Sequence, residues 1–255
     1  MILVIAGTRD GRELARDLTA AGYPVIVSVF SEYGKQLAAE SSPAISAGAL
    51  DEPGMVRLLQ DKEVALVVDA SHPYAVNVSH NAMAACAQTG AAYLRFEREE
   101  TALPADDKIR RVADARQAAQ VAAGLGNVVF LTTGSHLLPV FKAEPALADC
   151  RLIARVLPQP DVIAACSALG FAPKDLVAMQ GPFSHQMNVA MFRHYGAEVV
   201  VTKNSGHTGG TDSKLTAARE LGLFVVVIDR PRPDYPQLAD SAAAVLAFAA
   251  ARLRK

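Results

Sequence analysis

Short runs of Val, Ile and Leu alternate along this chain with longer stretches in which Ala and Leu recur at helical spacing. Runs such as Met1-Ile2-Leu3-Val4-Ile5-Ala6 and Val64-Ala65-Leu66-Val67-Val68 are apolar at every position, so a strand built from them must be covered on both faces. Helical crossovers on the two faces of a parallel sheet give that cover, and the alternation predicts successive βα units. Strands are expected near 1–6, 25–29, 44–46, 64–69 and 92–96, with a second series near 108–112, 127–132, 151–156, 175–180, 197–202 and 223–228. Helices are expected in the intervals, notably 10–21, 74–89, 114–123, 184–195, 211–221 and 239–253.

Between the two series, residues 98–107 are charged, contain Pro104 and lack apolar periodicity, which are the features of a linker. The expected fold class is α/β: two Rossmann-like domains with mostly parallel sheets, at residues 1–98 and 99–255, and a cleft between them. A length of 255 residues with 51% apolar content fills two such cores. Twenty-five basic against twenty-six acidic residues give a net charge of −1, which excludes an extended polyanion surface and with it a nucleic-acid partner. Cys86, Cys150 and Cys166 lie far apart and form no CxxC pair, so they read as reduced core thiols. No apolar run approaches the ~20 residues of a spanning helix. The apolar opening is too short for a signal peptide and lacks a basic start. A soluble, cytoplasmic protein with no membrane partner is expected.

Several polar segments fall where strands end, the place where open α/β sheets bind ligands. Gly7-Thr8-Arg9-Asp10-Gly11 joins the first strand to a helix. Its glycines suit either backbone approach to a phosphate or the geometry of the turn alone. Ser28, Glu32 and Tyr33 surround the end of the second strand, where a ribose partner or an ordinary turn would stand. Asp69-Ala70-Ser71-His72-Pro73-Tyr74-Ala75 packs four hydrogen-bonding side chains behind a buried strand, with Pro73 at the first turn of the next helix and Asp69 or Ser71 as its cap. Arg95 and Glu97 share one face of a strand.

In the second half, Thr132-Thr133-Gly134-Ser135 can bind an anion or cap a helix, and Arg155 and Gly181-Pro182 end two further strands. Lys203-Asn204-Ser205-Gly206 and Gly209-Gly210, with Lys214 beyond, form a glycine-rich cationic loop that is costly to order, which favours a binding role. Arg230-Pro231-Arg232-Pro233 follows the final strand and adds charge. Neither a GxSxG elbow nor an HExxH motif occurs, so a hydrolase or metalloenzyme is disfavoured and no metal site is expected.

These segments together resemble the precorrin-6A reductase family of cobalamin biosynthesis, and the likeness runs through most of the chain. Three positions depart from the family pattern: Ala6 replaces a glycine, Ser71 a threonine and His136 a lysine. Ser31-Glu32-Tyr33-Gly34 is similar to the members of the cobalt-containing, anaerobic pathway. The resemblance implies reduction of one ring double bond of a tetrapyrrole by NADH or NADPH, with hydride going to C19 and a proton to C18. It implies cofactor contacts at Gly7, Thr8, Arg9, Gly11, Ser28, Glu32, Tyr33 and Ser71 in the first domain. Substrate contacts are implied at Arg95, Thr132, Thr133, Gly134, Ser135, Arg155, Gly181, Pro182, Asn204, Ser205, Gly206, Gly209, Gly210 and Lys214. Lys203, His72 and Tyr74 are the candidate catalytic proton donors, with water as an alternative. The implied partners are the small-molecule tetrapyrrole and, transiently, neighbouring enzymes of the pathway. The competing expectations are a non-catalytic nucleotide- or tetrapyrrole-binding protein of the same fold, and a dinucleotide-dependent reductase of another substrate.

A carboxylate at the end of the second strand accepts from a ribose 2′-hydroxyl and repels a 2′-phosphate. Glu32→Gln is therefore expected to raise the use of NADPH relative to NADH. The ratio of the two catalytic efficiencies measures this, and an unmoved ratio would take Glu32 away from the ribose.

Overall fold

The computed structural model describes residues 1–30, 32–39, 44–48, 50–100, 102–206 and 210–253, without the side chains of Glu32, Tyr33 and Leu37. The chain divides into two units, one of Met1–Glu99 with Pro231–Lys255 and one of Glu100–Arg230.

In the first unit the elements run β1 (Ile2–Ile5), α1 (Arg9–Ala20), β2 (Val25–Val29), α2 (Glu32–Ala38), β3 (Ile45–Ala47), α3 (Glu52–Asp61), β4 (Leu66–Asp69), α4 (Val76–Thr89) and β5 (Ala92–Phe96). The second unit contains β6 (Ile109–Val112), α5 (Ala115–Ala123), β7 (Val128–Leu131), α6 (Leu138–Ala143), β8 (Arg151–Val156), α7 (Pro160–Ala168), β9 (Leu176–Ala178), α8 (His185–Tyr195), β10 (Val199–Lys203), α9 (Thr211–Glu220) and β11 (Phe224–Ile228). The chain then returns to the first unit for β12 (Leu238–Ala239) and α10 (Ala242–Arg252).

Each unit holds one six-stranded sheet, ordered β3-β2-β1-β4-β5-β12 and β9-β8-β7-β10-β11-β6, with every pair parallel. Counted from its central strand, each sheet has the 3-2-1-4-5-6 order of the doubly wound dinucleotide-binding fold. The sixth place is filled from opposite directions: β12 arrives after the rest of the chain, and β6 precedes the sheet it completes.

The continuous apolar runs explain the two-sided cover. In β1, Ile2 and Val4 pack with Leu14 and Leu18 of α1 and with Val245 and Ala249 of α10. Leu3 and Ile5 turn the other way, towards Met55 and Leu59 of α3 and Ala82 and Ala85 of α4. In the second unit Phe130, Ile153, Val200 and Val225 pack against Val189 and Phe192 of α8 and Leu215 of α9. Each fully buried Val or Leu contributes ~1.5–3 kcal/mol. Helix starts are fixed by caps: the side chains of Thr8, Asp51, Asp114, Ser184 and Ser241 each accept the N–H three residues on. The helices that follow β4 and β10 begin at Ala75 and Gly210 without a side-chain cap.

Two expectations are corrected. The second unit ends at Arg230 instead of continuing to residue 255, because β12 pairs with β5 and α10 covers α1. Without β12 the backbone of β5 would be an open edge, whereas Arg95 N–H donates to Gln237 O and Glu97 N–H to Ala239 O, both at 2.9 Å. Pro73 lies in a turn ahead of α4, not in its first turn, so the loop after β4 is longer than a tight βα turn.

Candidate active site

In the first sheet the chain steps from β1 to β2 to β3 and then crosses back to place β4 on the other side of β1. The turns after β1 and β4 lead away in opposite directions, which leaves a crevice at the strand ends. The Thr8 hydroxyl donates to Ala70 O at 3.3 Å and accepts the Gly11 N–H at 3.1 Å. A Cβ built on Gly7 would come no closer than 3.8 Å to His72 N and 4.0 Å to the Ser71 Cα. The backbone at Gly7 is therefore exposed beside the 71–72 loop, at the start of α1.

Gly11, expected to meet a cofactor, is buried and serves packing instead: a Cβ there would stand 2.9 Å from the Ala6 Cα and 3.1 Å from Ala70 O. Arg9 is exposed and pairs with Glu13 at 2.7 Å, a surface contact of about 0–1 kcal/mol that yields readily to another partner. Asp10 is paired with Arg98, which offsets its negative charge beside the turn. Ser28 is buried at the penultimate position of β2, with its carbonyl accepting from Ala6 N–H. The expectations for the Glu32 and Tyr33 side chains, and for Gly209, lie outside the described residues.

Beneath the loop after β4 is a buried charged network. Asp69 is fully buried; its carboxylate accepts from Ser71 N–H at 3.0 Å, Ser79 Oγ at 2.6 Å and Tyr93 OH at 2.8 Å, and pairs with Arg95 at 3.0 Å. Burial alone would push the Asp69 carboxyl up, but Arg95 and the hydrogen bonds from Ser79, Ser71 and Tyr93 hold it below its usual value. Arg95, expected at the substrate, is likewise fully buried. Its guanidinium donates to Ser71 Oγ at 3.0 Å and Ser71 O at 3.2 Å, reaches Glu97 at 3.3 Å and lies 5.3 Å from the Tyr235 ring centre. Arg95 is thus committed to holding the loop. His72 and Tyr74 remain half-buried above it, with Tyr74 N–H donating to His72 Nδ1 at 3.3 Å, so the neutral ring carries its proton on Nε2.

The second sheet repeats the crossover, with β10 returning beside β7. Thr132 Oγ donates to Val201 O at 2.8 Å and ties the two strand ends together. The buried Thr133 Oγ has no hydrogen-bond partner among the described residues. Gly134, at φ 78° and ψ 178°, holds a conformation closed to other residues, and Ser135 opens a short 3-10 turn.

Arg155, near the end of β8, is buried and donates to Asn188 Oδ1 at 2.8 Å, and its guanidinium lies 4.2 Å from the centre of the Phe183 ring. Gly181 and Pro182 are exposed just before that ring, and Pro182 packs near Gly210. Lys203 is the last residue of β10 and is half-buried, where the sequence reading places an exposed loop cation. Lys214, on α9, is buried.

Burial lowers the Arg155 guanidinium to about 10 and the Lys203 ammonium to about 8. Burial, then the charges of Arg155 and Lys203, bring Lys214 to about 7. Among the described residues no carboxylate pairs with Arg155 or Lys214. Lys214, buried and repelled by the charges of Arg155 and Lys203, is a group whose charged form an anion would favour.

The intervening loop is latched at its base. Ser205 N–H donates to Thr211 Oγ at 3.1 Å, Thr211 Oγ donates to Lys203 O at 3.4 Å, and Arg230 Nε donates to Asn204 O at 2.8 Å. Gly206 and Gly210 have φ values of 75° and 67°. Sequence reasoning missed Ser79, Tyr93, Tyr235 and Thr211, which support the loops from beneath; only Arg95-Phe96-Glu97 carried a trace of them.

The architecture and the groups at the two crossovers define a protein of two Rossmann-like α/β units, one with exposed backbone at the turn after its first strand and one with the basic side chains of Arg155, Lys203 and Lys214 buried or half-buried. Residues 1–250 match the family described as Precorrin-6x reductase CbiJ/CobK, and the chain belongs to that family. It is 40% identical over 237 residues to "Cobalt-precorrin-6A reductase" of Priestia megaterium, covering 92% of each chain. It is 34% identical to "Precorrin-6A reductase" of Rhodobacter capsulatus over 90% of this chain and 88% of that one. A solved structure, "CobK precorrin-6A reductase", is similar with a TM-score of 0.80 at 30% identity, covering 98% of this chain and 96% of the other.

The depressed lysines have a defined sign. Because Lys214 titrates near 7 and Lys203 near 8 when folded, against ~10.4 in an unfolded chain, the unfolded chain binds more protons in that window. The penalty is fully present below the folded values and is relieved as pH rises towards the unfolded one. An anion offsets it only while the lysines are charged. Sulfate is expected to raise Tm by several degrees at about pH 6 and by much less at about pH 9. Lys214→Met should raise Tm at the lower pH and shrink the sulfate effect; equal sulfate shifts at both pH values would disprove the anion site.

Proposed function

We propose that this protein reduces one ring double bond of precorrin-6A, or of its cobalt-loaded counterpart, to the 6B form in cobalamin biosynthesis, with NADH or NADPH as reductant. The observation that carries the reading is the meeting of Gly7 with Ser71 and His72, and of Thr8 with Ala70, at the crossover of the first sheet, in a chain that matches the reductase family almost from end to end.

The bare strip at Gly7 fits a dinucleotide: nothing nearer than 3.8 Å would meet a Cβ there, and the start of α1 offers a positive field to a pyrophosphate. When bound, the nicotinamide supplies the hydride. Gly7, Thr8 and Ser71 would hold it, with Arg9 free to exchange Glu13 for a phosphate. In the second unit Lys203, Lys214 and Arg155, with Thr133, receive carboxylates of the macrocycle. Each charge-assisted hydrogen bond there contributes ~1.5–3 kcal/mol. A proton must also reach the ring. His72 Nε2, Tyr74 and the Lys203 ammonium are the groups of this chain that can supply it. The cobalt-precorrin names of several relatives support the cobalt-loaded substrate.

Anaerobic mixing of the protein with each nicotinamide, and with metal-free and cobalt-loaded precursor in turn, tests the reading. Oxidation of the nicotinamide is expected only when precursor is present. Binding without oxidation would support a non-catalytic binding protein instead.

Gly7→Val is expected to fold, because its Cβ meets only ordinary contacts. Its nicotinamide affinity, followed by fluorescence titration, should fall at least ~10-fold, equivalent to ~1.4 kcal/mol. An unchanged dissociation constant would place the dinucleotide elsewhere.

A further inference from the structure

The two sheets share their strand order, and this equivalence extends to a pair of buried arginines. In the first sheet Arg95 lies on the fifth-position strand, opposite Asp69, the last residue of the fourth-position strand. In the second sheet Arg230 stands two residues beyond Ile228, which is opposite Lys203, again the last residue of the fourth-position strand. Each arginine donates to a backbone carbonyl of the loop that follows that fourth strand: Arg95 Nη2 to Ser71 O at 3.2 Å and Arg230 Nε to Asn204 O at 2.8 Å. Arg95 is fully buried and Arg230 is 6% exposed.

Both loops need such a hold. Each leads into a helix without a side-chain cap, and each carries groups on which the proposed reaction depends. A guanidinium has several donors in a rigid plane, so it can fix a carbonyl while bonding elsewhere. Arg95 does so with Asp69, Ser71 Oγ and Glu97. In the second unit the Asn204 amide is placed further by its N–H to Ile228 O at 3.2 Å and its Nδ2 to Glu100 at 3.4 Å.

We infer that Arg95 and Arg230 are equivalent positioning residues, each clamping the carbonyl side of the loop after the fourth strand of its sheet so that the loop presents its remaining groups to ligand. The inference rests on the proposed reaction only for what the loops bind. Neither arginine is a carboxylate partner of the substrate.

The test begins with hydrogen exchange on the ligand-free full chain, which needs neither nicotinamide nor precursor. Arg230→Met is expected to speed amide exchange at least tenfold in peptides covering 204–206, with β7 and the first sheet unchanged. Arg95→Met should do the same for 71–75 alone. Should Arg95→Met fail to fold because Asp69 loses its partner, Arg95→Lys, which keeps a cation for Asp69 but lacks the planar donors that reach Ser71 O, is expected to loosen 71–75 by a smaller factor.

Turnover gives the second readout. Arg230→Lys and Arg230→Met should both lower kcat/KM for the precursor about tenfold while the dissociation constant of the nicotinamide holds, with the loss insensitive to salt. Arg95 variants should weaken the nicotinamide and leave precursor KM unchanged. Unchanged loop exchange in the variants overturns the inference, as does recovery of precursor binding by Arg230→Lys with a strongly salt-dependent Arg230→Met defect, the mark of a direct carboxylate contact. Absence of nicotinamide oxidation by the wild-type protein, with the loops loosened as described, would overturn the proposed reaction and leave the clamp standing.

Discussion

Parallel pairing of β1 with β4, and of β7 with β10, is the contact from which the rest of each unit follows. A sheet extended only in one direction from β1 would leave every βα turn flanked by another of the same hand, with no gap at its strand ends. Crossing back to the free edge opens that gap and brings Thr8 to Ala70, groups far apart in the chain. The same constraint acts on Gly11, since α1 must lie close to the β1–β4 seam for the turn above it to form.

The two crossovers are furnished in opposite electrostatic styles. At the first, Asp69 and Arg95 cancel one another, and four neighbours, Ser71, Ser79, Tyr93 and Glu97, hydrogen-bond to them. Removing one partner of such a pair costs ~3–5 kcal/mol, because the other is left charged in the core. At the second, burial acts against Arg155, Lys203 and Lys214, and the charges of Arg155 and Lys203 act further against Lys214. The first arrangement fixes backbone; the second is held at a cost in stability, because buried cations are disfavoured.

Strand positions were legible because fully buried parallel strands are apolar at every residue, a pattern that survives ignorance of the fold. Turn chemistry was legible for the same reason: Gly7, Thr132 and Asn204 stand where apolar runs stop. The burial of Arg95 was not, because an Arg and a Glu two residues apart read as polar groups facing ligand or solvent until strand order places Asp69 opposite. Lys203 was misjudged as a loop cation since a strand's last residue and a loop's first look alike in sequence. Residues 239–253 announced a helix clearly, yet which sheet it covers depends on the two-residue β12, too short to leave a periodic signal. The proline-rich Arg230-Pro231-Arg232-Pro233 was the available sign of a second passage between units.

That late return of β12 governs how the molecule can be made. Residues 100–230 form a contiguous unit whose sheet is complete once β11 has been synthesised, so this inner unit can assemble on the ribosome without waiting for the rest. The outer unit begins before the inner one and is completed after it: its β5 edge stays unpaired until β12 emerges, and the part of its apolar core that Val245 and Ala249 cover stays bare until α10 follows. During that interval an apolar helix face and an open strand edge are exposed together, the combination that draws nascent chains into wrong pairings. Chain termination between β11 and β12 would yield one complete unit and one left aggregation-prone.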